Sequence, residues 1–258
     1  NAWAVLDSAM ENKIFPGAQV AIVQKGEMVF NGGFGYQTYD AGSLPATEKT
    51  MYDIASLTKV VAAVPLTMKL ISQKKLSLDQ SIQQFYPKFT GKWKENVTIR
   101  HLMTHSSGLS DYYPFYQNGN INNKVDIQQF ILKSELEYEP GSQSQYSDLG
   151  IILLSSIIEK VSRRPLNRLA KSWIFQPLGM KNTQYNPPEE LRVEIAPTEL
   201  DTVFRQRLLQ GEVHDENTYL MGGVSGHAGV FSTAEDIAQY AQMLVDRGLW
   251  QGKRLFTE

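Results

Sequence analysis

Cysteine is absent from this chain of 258 residues, which excludes disulfides, thiolate catalysis and cysteine-ligated zinc and leaves the redox compartment undecided. Long apolar runs are missing too. The longest, Leu149-Gly150-Ile151-Ile152-Leu153-Leu154, stops well short of a membrane span. Nor does one charge dominate: 25 Lys and Arg stand against 27 Asp and Glu, a formal net charge of -2. Basic residues this scattered leave no footprint for nucleic acid or an anionic membrane. Histidine is scarce, and of His101, His105, His214 and His227 only the first two have metal-ligand spacing. That pair, at i and i+4, lacks the glutamate a zinc helix uses, so core or capping roles are expected and no metal. The run Gly222-Gly223-Val224-Ser225-Gly226-His227-Ala228-Gly229 lacks the lysine of a phosphate cradle, which removes a nucleotide-binding reading; no cofactor is implied.

What is present reads as strands early and helices throughout. Residues 2 to 13 suggest an amphipathic helix ended by Phe15-Pro16-Gly17, and Ala18 to Gln24 suggests a strand. A Lys25-Gly26 turn into Met28-Val29-Phe30 makes a hairpin. Helical segments follow around Ile82 to Phe85, Ile99 to Thr104, Ile127 to Leu132, Leu149 to Val161 and Leu166 to Ile174. Asn186 to Thr218 is polar and irregular, and Thr233-Ala234-Glu235-Asp236 caps a closing helix through Val245. The expected fold class is α+β: an antiparallel sheet flanked by helices, with an inserted all-helical lobe. One catalytic domain is expected over 1–258, with a sheet-side lobe of about 1–60 plus 220–258 and a helical lobe of about 61–219. Two strands do not make a stable sheet, so either other segments supply strands or closing strands are expected beyond Glu258. A start at Asn1 and not Met fits a leader or a preceding domain that has been removed.

The chemistry is expected at Ser56 and Lys59, a hydroxyl and an amine three positions apart at the start of an apolar helical run. Three residues apart on a helix means one face. With Asp53 as the cap, the Ser56 amide would lie in the first turn, where unpaired donors favour a developing oxyanion. Among Leu57, Val60, Val61 and Ala62 an ammonium is poorly solvated, which favours a neutral amine able to take the serine proton. Spacing alone is weak support, since about one Ser-x-x-Lys is expected by chance in such a chain. Ser72-Gln73-Lys74-Lys75 is a second match, in a polar helix end. A tyrosine between nucleophile and solvent could carry the proton to the leaving group. Tyr116-Gln117-Asn118 lies in the aromatic-polar loop Tyr112 to Asn123; Tyr146-Ser147-Asp148 follows the turn Glu139-Pro140-Gly141-Ser142 and opens the apolar helix at Leu149. The second is the better presented, although Ser147 or Asp148 would also cap that helix.

Five segments together resemble the serine beta-lactamase and penicillin-binding-protein-like hydrolases, nearest to the class C beta-lactamase, D-Ala-D-Ala carboxypeptidase and esterase branch. They are ASLTK at Ala55 to Lys59, TIRHLMTHSSGL at Thr98 to Leu109, PGSQSQYSDLG at Pro140 to Gly150, IFQPLGMKNT at Ile174 to Thr183 and GHAGVFSTAEDIA at Gly226 to Ala238. VHDENTYLMGGVSGHAG, Val213 to Gly229, is similar to a bacterial subgroup that occurs alone or fused behind family 3 glycosidase domains. The resemblance implies Ser56 as acylated nucleophile, Lys59 as its activating partner and Tyr146 as proton shuttle, with amide, peptide or ester substrates, cell-wall peptides among them. It implies a periplasmic or secreted bacterial protein whose expected partners are small-molecule or peptide substrates and a fused glycosidase domain.

Asp148 departs from this pattern, because the second motif of the family usually ends in Asn, and an ionised carboxylate cannot present an N-H to a substrate carbonyl. The third motif, Lys-Thr-Gly or His-Thr-Gly on an edge strand, is not matched by His227-Ala228-Gly229, since the following residues resemble a helix-opening segment. That edge strand and the second oxyanion donor are expected beyond Glu258, and without them the chain by itself is expected to be a weak catalyst. His227 is expected at the pocket mouth, and Asp148, Tyr112, His227 and Ala228 form the expected substrate-binding set. A second reading is a non-catalytic binding module for peptidoglycan-like ligands; it has no need of all three of Ser56, Lys59 and Tyr146.

Overall fold

The structure of the protein, a computed structural model, describes residues 2–256. Its helices are α1 (Ala2–Glu11), α2 (Val64–Ser72), α3 (Ile99–Met103), α4 (Lys124–Lys133), α5 (Asp148–Ser162), α6 (Leu166–Ala170), α7 (Gln176–Leu178), α8 (Glu216–Leu220) and α9 (Ala234–Val245). Its strands are β1 (Gly17–Gln24), β2 (Glu27–Gly35), β3 (Tyr52–Asp53), β4 (Gln184–Tyr185), β5 (Glu199–Asp201), β6 (Arg207–Leu209), β7 (Val230–Ser232), β8 (Leu249–Trp250) and β9 (Lys253–Arg254). Every ladder between them is antiparallel, and the fold is α+β. Among the described residues no helix is long and apolar enough to cross a membrane. Two compact units share the chain: Asn1–Ile54, Phe175–His214 and Val230–Glu258 form one, Ala55–Ile174 and Asp215–Gly229 the other.

In the first unit, Lys25 and Gly26 join β1 to β2 with φ of 53° and 83°, the two positive values that a two-residue hairpin needs to follow strand twist. Trp3 of α1 lies on Phe30 and Phe34 of β2, with ring centroids 4.7 and 5.3 Å apart. Gly33 must be glycine, because a Cβ there would stand 2.2 Å from the Ala46 carbonyl oxygen. On α9, Thr233 accepts the Asp236 amide as N-cap and the Ala234 amide donates to Gln19 of β1. A second sheet, ordered β3-β7-β4, was not readable in advance: β7 is buried at all three positions, so it has no alternation to betray it. Asp53 does not cap the helix that follows it. Held in β3 opposite Phe231, it accepts the His214 N-H at 2.8 Å instead. The region read as irregular contains the hairpin β5–β6, whose turn is tied by Asp201, which accepts the Val203, Phe204 and Arg205 amides and pairs with the Arg205 guanidinium.

The second unit is built around α5. All ten residues from Leu149 to Ile158 are buried, so this helix is apolar on every side and serves as core. Each Leu or Ile fully buried there stabilises the unit by roughly 1.5–3 kcal/mol. Ser155 and Ser156 are tolerated because their hydroxyls donate to the Ile151 and Ile152 carbonyls. α2, α3 and α4 pack around α5. Ahead of α2 the helix widens over Lys59–Ala63, where the Val64 N-H reaches back to the Lys59 carbonyl. Pro65 explains the change of register: it cannot donate and sits in the first turn of α2.

Candidate active site

Between β3 and the helical run the backbone passes through Ala55 with φ of 45°, a left-handed conformation costing an alanine about 1–2 kcal/mol. That turn leaves Ser56 exposed while Thr58 and Lys59 face inward, buried. Lys59 Nζ lies 2.9 Å from Ser56 Oγ, 3.0 Å from the His227 carbonyl oxygen and 2.7 Å from Asp148 Oδ1. The Ser56 hydroxyl and the His227 carbonyl accept hydrogen bonds from the amine. The Asp148 contact is an ion pair, without the alignment of a hydrogen bond.

Tyr146 approaches the same hydroxyl from the other side, its OH donating to Ser56 Oγ at 2.7 Å. The residue is 50% exposed, and its ring centroid stands 4.7 Å from Lys59 Nζ. The next residue, Ser147, is the N-cap of α5: it accepts the Gly150 N-H at 3.0 Å and donates to the Ser110 carbonyl at 2.7 Å. Anchoring the cap fixes where the preceding tyrosine begins. His105 stacks on the Tyr146 ring, centroids 4.7 Å apart.

His227 does not stand at a mouth. Its side chain is 1% exposed, with Nε2 2.9 Å from Asp215 Oδ1 and 3.2 Å from Thr218 Oγ1, and Nδ1 2.8 Å from Ser225 Oγ. The physical reason lies in its neighbours: Gly226 packs so tightly that a Cβ would stand 2.0 Å from Ser155 Oγ and 3.0 Å from Ala63 Cβ. This draws the segment inward and turns the His227 carbonyl to Lys59. Ala228 is likewise buried. Asp215 also caps α8 through the Thr218 N-H. Burial pushes its carboxyl up, but the His227 charge and hydrogen bonds from His227 and Thr218 outweigh that and hold it well below the usual range.

Tyr112 is partly exposed. Burial, then the charges of Glu216, Tyr116, Asp215 and Asp148, push its phenol well above the ordinary value, so it stays a neutral donor beside several carboxylates. The competing motifs fall elsewhere. Ser72 is exposed and donates to the Lys69 carbonyl, and the Tyr116 hydroxyl accepts from Gln117. His101 Nδ1 accepts the Thr98 N-H at the start of α3, a cap and not a metal ligand.

The Beta-lactamase family model matches residues 4–256. The chain belongs to the beta-lactamase family. A Salmonella agona protein provisionally named D-alanyl-D-alanine carboxypeptidase is 33% identical over 98% of this chain and 66% of its own length. A Bacillus subtilis protein named N-acetylmuramyl-L-alanine amidase is 32% identical over 98% of this chain and 65% of its own. Among solved structures, the octameric penicillin-binding protein homologue from Pyrococcus abyssi superposes with a TM-score of 0.78 at 28% identity, covering 96% of this chain and 56% of that one. The chain thus spans just under two thirds of the length of the curated relatives it matches.

In this beta-lactamase family member, sequence reasoning missed the positions of His105 and of Asp215, Thr218 and Ser225. Asp215 left a readable signal, an acidic residue three before Thr218 at a helix start. His105 left none, because what it touches is set by the folding back of residues 145–147.

Proposed function

We propose that this protein is a serine hydrolase that forms an acyl-enzyme on Ser56 with amide, peptide or ester substrates. One observation carries the reading: Ser56 Oγ has the Lys59 amine at 2.9 Å and the Tyr146 hydroxyl at 2.7 Å, both within proton-transfer reach. When Lys59 is the neutral amine, it donates to the His227 carbonyl and its lone pair is left for the Ser56 proton. The serine oxygen then bonds to the substrate carbonyl carbon as its proton passes to Lys59. Tyr146, close to both and half-exposed, relays a proton to the departing nitrogen or oxygen, and water completes the cycle by hydrolysing the ester on Ser56.

The names of two relatives support an amide substrate, D-alanyl-D-alanine in one and N-acetylmuramyl-L-alanine in the other. Cell-wall peptides are therefore the proposed class, with a periplasmic or secreted location. Asp148, acceptor-only when ionised, weighs against efficient use of beta-lactams. Incubating the full-length protein with a fluorescent alkyl fluorophosphonate tests the reading. Wild type should be labelled and Ser56→Ala should not; labelling that survives the substitution, or none in wild type, would sink it. Peptidoglycan binding unchanged in Ser56→Ala, with no wild-type turnover of p-nitrophenyl acetate, would make it a binding module instead.

A further inference from the structure

Three contacts run from His105 to the tripeptide Gln145-Tyr146-Ser147. Its carbonyl accepts the Gln145 N-H at 2.8 Å and its Nδ1 accepts the Ser147 N-H at 3.1 Å. Its ring lies against the Tyr146 ring, planes inclined by 28°. The residues on both sides of Tyr146 are thus held by their backbones, and Tyr146 itself by its ring. His105 is in turn fixed by the Tyr138 hydroxyl, which donates to the same carbonyl at 3.3 Å, and its backbone is left-handed with φ of 54°. A half-exposed phenol next to a loop has rotamers to lose. Its hydroxyl nevertheless has to remain within hydrogen-bond reach of Ser56 for proton transfer.

We propose that His105 is a positioning residue for Tyr146: by accepting the Ser147 amide and stacking on the phenol ring, it holds the Tyr146 hydroxyl against Ser56. This rests on the reading of Ser56, Lys59 and Tyr146 given above. An Nδ1 that accepts carries no hydrogen, so the imidazole is the neutral form protonated at Nε2. The surroundings agree. Burial, then the Lys59 charge, hold the imidazole below the usual histidine range and outweigh the opposing Asp148 carboxylate and Ser147 backbone. The Tyr146 ring lies against the imidazole, and Tyr138 reaches only the backbone carbonyl of His105.

Two variants test this in the full-length protein. His105→Gly keeps the left-handed backbone and removes ring and acceptor; His105→Asn keeps the backbone and an acceptor and removes the ring. Two quantities are read: the rate of the p-nitrophenol burst from p-nitrophenyl acetate, and hydrogen exchange at the Ser147 amide. In His105→Gly the burst should slow about 10- to 100-fold, the loss that follows misplacement of a reacting group by about 1 Å, with KM little changed. Its Ser147 amide should exchange faster. His105→Asn should restore protection of that amide and recover part of the rate. A wild-type burst in His105→Gly overturns the proposal, and leaves the Ser56 reading intact if Ser56→Ala gives no burst. So does a slowed burst with unchanged Ser147 exchange. No Ser56-dependent release of p-nitrophenol from the wild-type protein, in a burst or at steady state, removes the functional reading and this proposal together.

Discussion

Lys59 has the most constrained surroundings of the proposed trio, since each of its three neighbours answers to a different part of the sequence. Ser56 is one helical turn away, Asp148 opens α5, and the His227 carbonyl comes from the segment after α8. Asp148 is the partner whose removal is most informative, because it leaves the charge of a nearly buried ammonium without a counter-ion. Asp148→Asn should lower the unfolding free energy at neutral pH by roughly 2–4 kcal/mol, read by urea unfolding. The same change supplies an amide N-H, and should raise acylation by a beta-lactam relative to that by an ester. If the urea midpoint did not move, the carboxylate would have no part in holding Lys59. The serine, the amine and the tyrosine were legible because residue type and spacing are written in the chain. His227 was legible only as a name: its imidazole faces Asp215 and its carbonyl faces the amine, and no pattern distinguishes the two ends of one residue.

At the scale of elements, α5 and the close-packed segment around Gly226 fix the distances. A methyl group on Gly226 meets Ser155 Oγ at 2.0 Å, and either α5 or the His227 carbonyl has to give way. Gly226→Ala should therefore slow acylation about tenfold or more. Adding Ser155→Gly, which removes the nearest obstruction, should return part of the loss, a coupling that a double-mutant cycle reads directly. Additive losses would mean that the two residues do not share the contact. Elements with strong periodicity or full apolar character, such as α5, α9 and the first hairpin, could be read from the sequence. β3, β4 and β7 could not, since strands of two or three residues carry no period and exist only through their pairing.

For the molecule as a whole, the carboxylates set the response to acid. Asp215 in one unit has its carboxyl well below the usual range. Asp201 in the other is also lowered, first by the Phe204 amide and then by Arg205. A lowered folded value means that these contributions are complete above the ordinary carboxylate pKa of about 3.8 and are lost as pH falls from there towards the folded values. Asp236 works in the opposite sense. Burial raises its carboxyl despite hydrogen bonds from Thr183 and Asn182, so the folded state takes up that proton first and is favoured as pH drops through the raised value. Urea unfolding from pH 6 to pH 3 should show stability falling below about pH 4, with a shallower fall in Asp215→Asn. Parallel curves for the two proteins would show that Asp215 carries none of it.

Ser56, Lys59, Tyr146, Asp148, His105 and His227 all belong to the same compact unit. Foreign sequence is therefore best spliced into the other one. Its exposed turn at Ala41-Gly42, where nothing lies within 4 Å of a side chain added to the glycine, offers a point at which a tag or a guest domain could be carried without disturbing the reacting groups.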